Sequence, residues 1–178
     1  MLRGEVMNAR WHTLVQLLTL LLLGLMAGFF FAFAFDVVPA TLQLDAEHYV
    51  LTQQAINRVV RNVVFGMVYF GSAVFPFILS WSYYQRKTLL YAKAWLIVAL
   101  IYFVMVFVLT RWVNVPINQE MADWNPNLPP ENWQVLRDRW NMSNYIRTAA
   151  ATMCFIAGLF LTIRISTQNA YANSSLNN

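Results

Sequence analysis

Four long stretches without a charged residue constrain this chain more than any other feature of its sequence. The uncharged runs cover residues 13–35, 62–83, 94–110 and 148–163, which are 23, 22, 17 and 16 residues long. About 20 apolar residues are needed to cross roughly 30 Å of hydrocarbon. Because 59% of the residues are apolar and only 11% are charged, no soluble fold accounts for the pattern. It predicts an all-α protein, an integral membrane bundle of four transmembrane helices.

The runs predict a single domain. We place this domain at residues 1–166, with spans at about 13–35, 60–83, 89–112 and 145–165, followed by a disordered polar tail over residues 167–178. A cleaved signal peptide is an alternative for the first run, but the apolar region of a signal peptide has about 7–15 residues. The first run is 23 residues long, so we expect it to be retained as a helix.

Four spans put both termini on the same side of the membrane. Arg86 and Lys87 lie in a very short loop between the second and third spans, where positive charge most strongly favours the cytoplasmic side. We therefore predict a multi-pass protein of the plasma or inner membrane with cytoplasmic termini. Basic residues occur at every membrane boundary, so the net charge of +4 indicates membrane lipids rather than nucleic acid as partners.

The two outer loops carry helix signals. Asp45 is a candidate N-cap for a helix that continues directly into the second span. Four prolines between residues 116 and 130 predict an extended stretch after the third span. Trp133, Leu136 and Trp140 then share one helical stripe, which predicts a short amphipathic helix at the lipid interface before the last span.

Amide and arginine side chains gather at the predicted outer ends of the spans. Asn supplies donors and acceptors, and Arg a rigid fork of donors, so together they can hold a carbonyl or phenolate oxygen and stabilise its negative charge. The alternative is a structural clasp that ties helix ends together. The candidates are Asn57, Arg61, Asn62, Asn114, Asn118, Asn144 and Arg147, with Trp140 beside them.

Two further candidates lie on the first span. Asp36 is either a proton acceptor or an ion-pair partner of Arg61 or Arg147. Phe31 belongs to an aromatic run that covers all faces of its helix, so part of the run faces lipid and part is available to line an apolar pocket for a flat ligand.

The sequence offers no standard metal site. His12 and His48 are the only two histidines, and they are predicted on opposite sides of the membrane, which argues against a site with two histidine ligands. Haem bound through His48 alone stays open as an alternative. We otherwise predict no cofactor.

Several short motifs occur together in one order along residues 14–165. The most specific are the Asn-x-Pro-x-Asn segment and the later Trp followed by Asn-x-x-Arg. The chain resembles the anthrone-oxygenase-like family of small four-helix membrane proteins in these segments: Ala27-Gly28-Phe29-Phe30-Phe31-Ala32-Phe33, Pro39-Ala40-Thr41-Leu42, Gln54-Ala55-Ile56-Asn57-Arg58, Val113-Asn114-Val115-Pro116-Ile117-Asn118, and Trp140 through Asn144 to Arg147-Thr148.

The resemblance implies oxidation of a flat, phenolic, lipid-soluble substrate by dioxygen without a well-established cofactor, as in anthrone oxidation to anthraquinone. On this hypothesis Asn57, Asn118 and Arg147 hold the oxyanion, and Asp36 or His48 is the base. One departure is Tyr145, because many family members have histidine at this position.

A second hypothesis is a non-catalytic membrane protein that binds a lipid or quinone or supports a membrane complex. The polar cluster is then a clasp or a headgroup site. Expected partners are membrane lipids and an aromatic or quinone-like small molecule, with association into a homo-oligomer left open.

Overall fold

The computed structural model describes the backbone of residues 2–176 and the side chains of residues 10–168. Four helical segments in this part of the chain are long and apolar enough to cross a membrane: Arg10–Thr41, Val63–Gln85, Leu89–Ala122 and Trp133–Gln168. The prediction of an all-α, multi-pass integral membrane protein is confirmed.

The described helices follow one another with short breaks. They are α1 (Leu2–Ala32), α2 (Val38–Thr41), α3 (Ala46–Val60), α4 (Val63–Gln85), α5 (Leu89–Tyr102), α6 (Val115–Ala122) and α7 (Trp133–Leu176). Three π-helical segments join some of them: the first at Phe33–Val37, the second at Phe103–Val108 and the third at Thr110–Asn114.

The bundle packs α1 against α4 and α7, and α5 against α4 and α7. Its core contains Trp95, Tyr102, Leu23 and Met26, each almost fully buried. Lipid is as apolar as these side chains, so close packing and hydrogen bonds between helices hold such a bundle together. One such bond joins the Ser72 hydroxyl to the Leu22 carbonyl oxygen at 3.0 Å.

A smaller apolar cluster closes the end of the bundle away from the termini. Tyr49 on α3, Met121 on α6 and Trp140 on α7 are buried in it. Gln54 fastens α3 to α6 because its Nε2 donates to the carbonyl oxygens of Met121 and Trp124, both at 3.0 Å. This end is therefore a folded cap and not a pair of loose loops.

The predicted continuous helix from Asp45 into the second span is interrupted. Asp45 does cap α3, since its carboxylate accepts from the His48 backbone N–H at 2.9 Å. The chain then breaks at Asn62, whose amide donates to the Val59 carbonyl and accepts from the Phe65 N–H, each at 2.9 Å. One side chain thus ends α3 and begins α4.

Three further expectations for the outer loops differ from the structure. The proline-containing stretch begins as α6, because Pro116 occupies the first turn of that helix, where its missing N–H costs nothing. The predicted amphipathic helix is not separate but is the first part of α7. Trp140 belongs to the cap cluster, and Trp133 and Leu136 pack against it, so this stripe faces protein and not lipid.

The backbone of α7 continues as a helix to Leu176, past residue 167, where the sequence predicts a polar tail. The side chains of residues 169–178 lie outside the described part of the chain. Disorder in the tail stays a prediction.

Gly158 lies where α7 packs tightly against α5. A Cβ atom built there would lie 2.9 Å from Trp95 Cη2, and Trp95 is fully buried. We expect Gly158→Ala to destabilise the bundle by about 1–3 kcal/mol, because a well-packed core does not accept an added methyl group. Detergent-induced unfolding of the purified protein, followed by circular dichroism, measures this loss.

Gly28→Ala is the matched control, because a Cβ atom at Gly28 would meet no atom within 4 Å. This variant should unfold at or slightly above the wild-type midpoint, since alanine is the better helix former. Equal midpoints for the two variants would contradict the packing described here.

Candidate functional site

A cavity of about 380 Å³ opens at the end of the bundle away from the termini. Its size is typical of small-ligand sites. The first span, the break between α3 and α4, the third π-helical segment, α6 and α7 all contribute to its wall. The lining residues are Phe29, Phe30, Phe33, Ile56, Asn57, Val60, Arg61, Asn62, Phe65, Gly66, Tyr69, Phe70, Thr110, Asn114, Val115, Asn118, Gln119, Trp140, Asn144 and Arg147.

Two arginines line this cavity, of which Arg61 is exposed and Arg147 is buried at its base. The Arg147 side chain is 6% exposed, and its guanidinium donates to Thr110 Oγ1 at 3.1 Å and to Asn144 Oδ1 at 2.9 Å. Neither of the two ion pairs in the described part of the chain includes it. A buried cation without a carboxylate is costly within a membrane, and an anionic oxygen in the cavity would offset that cost.

Two aromatic rings fix the orientation of Arg147. The guanidinium carbon lies 4.9 Å from the ring centre of Phe30 and 5.6 Å from that of Trp140. Cation–π attraction stabilises the charge at these distances. The guanidinium is therefore held in place before any ligand arrives.

The amides divide into paired and unpaired groups. Asn114 accepts from the Ser143 hydroxyl at 2.7 Å and donates to the Trp140 carbonyl at 3.4 Å. Asn118 accepts from the Trp140 indole N–H at 2.8 Å, which fixes its carbonyl and leaves its amide N–H groups available. Asn114 is thus a tie between helices, whereas Asn118 presents donors to the cavity.

Three buried donors at the cavity have no hydrogen-bond partner in the described part of the chain. They are Asn57 Nδ2, Asn144 Nδ2 and Arg147 Nε. Buried polar groups are usually satisfied, and leaving one unpaired costs about 1–3 kcal/mol. Tyr49, Gln53, Trp95 and Tyr102 also have unpaired buried groups, but they do not line the cavity. What distinguishes the three donors is their position in the cavity wall, where an oxygen-bearing ligand would pair with them.

Aromatic rings form one wall of the cavity. Tyr69 stacks on Phe65 with ring centres 5.8 Å apart and planes at 14°, and on Phe107 at 5.6 Å and 25°. Phe29 extends the wall, with its ring centre 5.1 Å from that of Phe65. These rings offer flat apolar faces opposite the polar base.

Two π-helical segments border the cavity, and each ends shortly before a proline. Pro39 follows the first segment and Pro116 follows the third. Proline cannot donate to the carbonyl four residues earlier and clashes with it. The preceding turn therefore widens, as π-bulges often do at functional sites. The widened turns contribute Phe33, Thr110 and Asn114 to the cavity.

Most predicted site residues line the cavity, but two do not. Asp36 is exposed and Phe31 is 53% exposed, and neither contributes to the wall. The Phe31 ring instead contacts Phe35, which in turn contacts Tyr145. Phe31 lies in the last turn of α1, Asp36 in the first π-helical segment and Tyr145 on α7, and Tyr145 does not line the cavity either.

His48 also lies outside the cavity. Its Nδ1 is 2.8 Å from the Asp45 carboxylate on an exposed part of α3. The hydrogen bond and the charge of Asp45 raise the pKa of His48 above its ordinary value. None of the described lining residues is Asp, Glu or His.

The sequence analysis missed Tyr69, Thr110 and Gly66. Thr110 was detectable, because it precedes Asn114 and Asn118 at intervals of four and therefore shares their helical face. Gly66 and Tyr69 follow Asn62 at i+4 and i+7, on the face that carries the predicted amide. Because aromatic residues occur all around the second span, the sequence does not distinguish this face from the others.

A second cavity of about 460 Å³ lies at the opposite end, beside the termini. Two of its lining residues pair across it, since Gln16 Nε2 donates to Thr162 at 2.9 Å. The Nδ1 atom of His12, also in the wall, lies 2.7 Å from Oγ of Ser82 outside the cavity. The cavity around Arg147 is therefore the stronger candidate site.

The sequence matches the family model described as anthrone oxygenase over residues 62–157, which are 96 of the 178 residues. No curated protein and no solved structure matches the chain. The matched region contains the paired amides of the third π-helical segment and α6, the aromatic wall of α4, and Arg147. This chain belongs to the anthrone oxygenase family.

Proposed function

We propose that this protein oxidises a flat, phenolic, lipid-soluble substrate with dioxygen, and that Arg147 holds the ionised oxygen of the substrate. The observation that carries the proposal is the buried guanidinium without a carboxylate partner at the base of an aromatic-walled cavity. The termini are proposed to be cytoplasmic, which puts the cavity at the outer side of the membrane.

An anthrone illustrates the chemistry. Loss of a proton from the methylene carbon opposite the carbonyl gives a delocalised anion whose charge lies largely on oxygen. This anion transfers an electron to dioxygen. The resulting carbon radical and superoxide join to form a peroxide anion, which regains the proton and becomes a carbon-bound hydroperoxide. Loss of water then leaves the second carbonyl, so that anthrone and one dioxygen give anthraquinone and one water.

The protein would contribute mainly electrostatic stabilisation. Arg147, together with the free donors of Asn57, Asn118 and Asn144, would hold the oxyanion more strongly than the neutral substrate. Exclusion of bulk water strengthens these hydrogen bonds. Because the described lining residues include no carboxylate or histidine, we assign the proton to water at the cavity mouth and not to Asp36 or His48.

The function is tested by dioxygen uptake with a simple anthrone in mild detergent, corrected for the spontaneous reaction. Wild type should exceed the background. Arg147→Gln should reduce the catalysed rate by about 10²-fold, because loss of a single preorganised oxyanion donor commonly has this effect. Equal rates for wild type and this variant, or wild-type uptake no higher than the background, would contradict the proposal.

Two glycine variants provide matched controls in the same assay. Gly66 lines the cavity and Gly28 does not, while a Cβ atom at either glycine would meet nothing within 4 Å. Gly66→Leu should therefore fold and fill the cavity, with loss of uptake. Gly28→Leu should keep the wild-type rate.

The second candidate function is a purely structural clasp or a binding site without catalysis. The pairing of Asn114 with Ser143 and of Asn118 with Trp140 favours it, because these bonds tie α7 to the third π-helical segment and α6. The two functions make opposite predictions for the stability of a variant that lacks the unpaired amide of Asn57.

Asn57→Leu and Asn114→Leu separate these functions. Both side chains are at least 94% buried. Asn114→Leu should lower the free energy of unfolding by about 1–3 kcal/mol, since it leaves the Ser143 hydroxyl without its acceptor. Asn57→Leu should leave stability unchanged or higher, because it removes an unpaired amide, and should lower the oxidation rate. A large loss of stability in Asn57→Leu would favour the clasp.

A further inference from the structure

An apolar groove on the outer surface of the bundle is continuous with the cavity. It runs between α1 and the break that separates α3 from α4. Leu25, Met26, Ala55, Val59, Val64 and Val68 line the groove alone, and Phe29, Phe33, Ile56, Val60, Asn62 and Phe65 line both the groove and the cavity. The two spaces therefore share one wall.

The groove faces the lipid. Leu25 is 50% exposed and Val64 is 66% exposed, and both lie inside membrane-spanning segments. Leu25 and Phe33 are eight residues apart on the first span, which corresponds to about 12 Å along a helix. A hydrocarbon chain of moderate length thus has room to lie along the groove.

The lining changes from polar to apolar on going from the cavity to the groove. Arg147 and the unpaired amides lie at the base of the cavity, the rings of Phe29 and Phe65 lie between, and aliphatic side chains line the groove. Such a gradient matches an amphipathic ligand, with an acidic phenolic head at the arginine and an apolar tail towards the lipid. Asn62 is the only polar residue among the described residues that line the groove.

We propose that the natural substrate is a phenol or quinol with a hydrocarbon tail, which reaches the cavity laterally from the membrane and keeps its tail in this groove. This inference rests on the head-binding role proposed for Arg147. It adds the substrate class and the route of access. Most of the binding free energy comes from the phenolic head. The tail adds little, because lipid and groove are both apolar and its transfer between them gains little hydrophobic free energy.

Photolabelling tests the position of the tail without requiring turnover. The probe is an alkyl phenol with a diazirine at the end of its tail, added to the protein in lipid nanodiscs. Adducts mapped by mass spectrometry should concentrate on residues 25–33 and 59–68. An excess of the tail-less phenol should reduce their yield. Arg147→Gln should reduce it about tenfold, which corresponds to roughly 1.4 kcal/mol of lost head binding.

Val64→Trp and Val74→Trp are the matched blocking variants. Both valines are exposed on α4, but only Val64 lines the groove. Val64→Trp should abolish the groove adducts, because the indole ring fills the groove that holds the tail. Val74→Trp should label like wild type.

Two results would overturn the inference. Adducts spread evenly over all lipid-facing helices would show that the tail has no defined site. Groove adducts that persist in Arg147→Gln would show that the groove holds membrane lipid independently of the head. Neither result depends on dioxygen uptake, so failure of the tail proposal is distinguishable from failure of the proposed oxidation.

Discussion

The arrangement at the end of the bundle away from the termini depends on Arg147, a cation buried in a membrane protein without an anionic partner among the described residues. Two rings and two oxygen acceptors hold the guanidinium, yet Nε and two neighbouring amides have no partner in the described part of the chain. Such an arrangement sacrifices stability. These three donors border the cavity, so a ligand with an oxygen acceptor would satisfy them and recover part of that stability.

The cavity beside Arg147 follows from local backbone chemistry. Pro39 and Pro116 each disturb the turn that precedes them, and the π-helical segments at Phe33–Val37 and Thr110–Asn114 widen the bundle at the same level. Asn62 separates α3 from α4 at this level too. The cap cluster around Tyr49 and Trp140 lies at the same end of the bundle, and Trp140 belongs both to the cluster and to the cavity wall. The backbone effects of Pro39, Pro116 and Asn62 therefore account for a cavity at one end of an otherwise packed bundle.

The sequence predicts the four spans because apolar run length is a direct consequence of membrane thickness. It also predicts that the amides and Arg147 gather at one end of the bundle, since polar groups near a span must find partners or water, and the structure brings them to one cavity. It does not reveal that Asp36 and Phe31 lie outside this cavity, because a single uncharged run does not show which side of the first span faces the bundle. It also misassigns the stripe of Trp133, Leu136 and Trp140, since an apolar stripe packs equally well on lipid and on a protein cap.

The most direct test of the account is the ionisation state of a phenol bound beside Arg147. A hydroxyanthraquinone changes colour when its hydroxyl group ionises, so its visible spectrum reports this state at a pH where the free dye is neutral. The account predicts the spectrum of the anion for the dye bound to wild type and to Arg111→Gln, which changes an exposed arginine outside the cavity. Arg147→Gln should bind the dye only in its neutral form. A neutral spectrum in wild type, or an anion spectrum that survives Arg147→Gln, would contradict the role assigned to this residue.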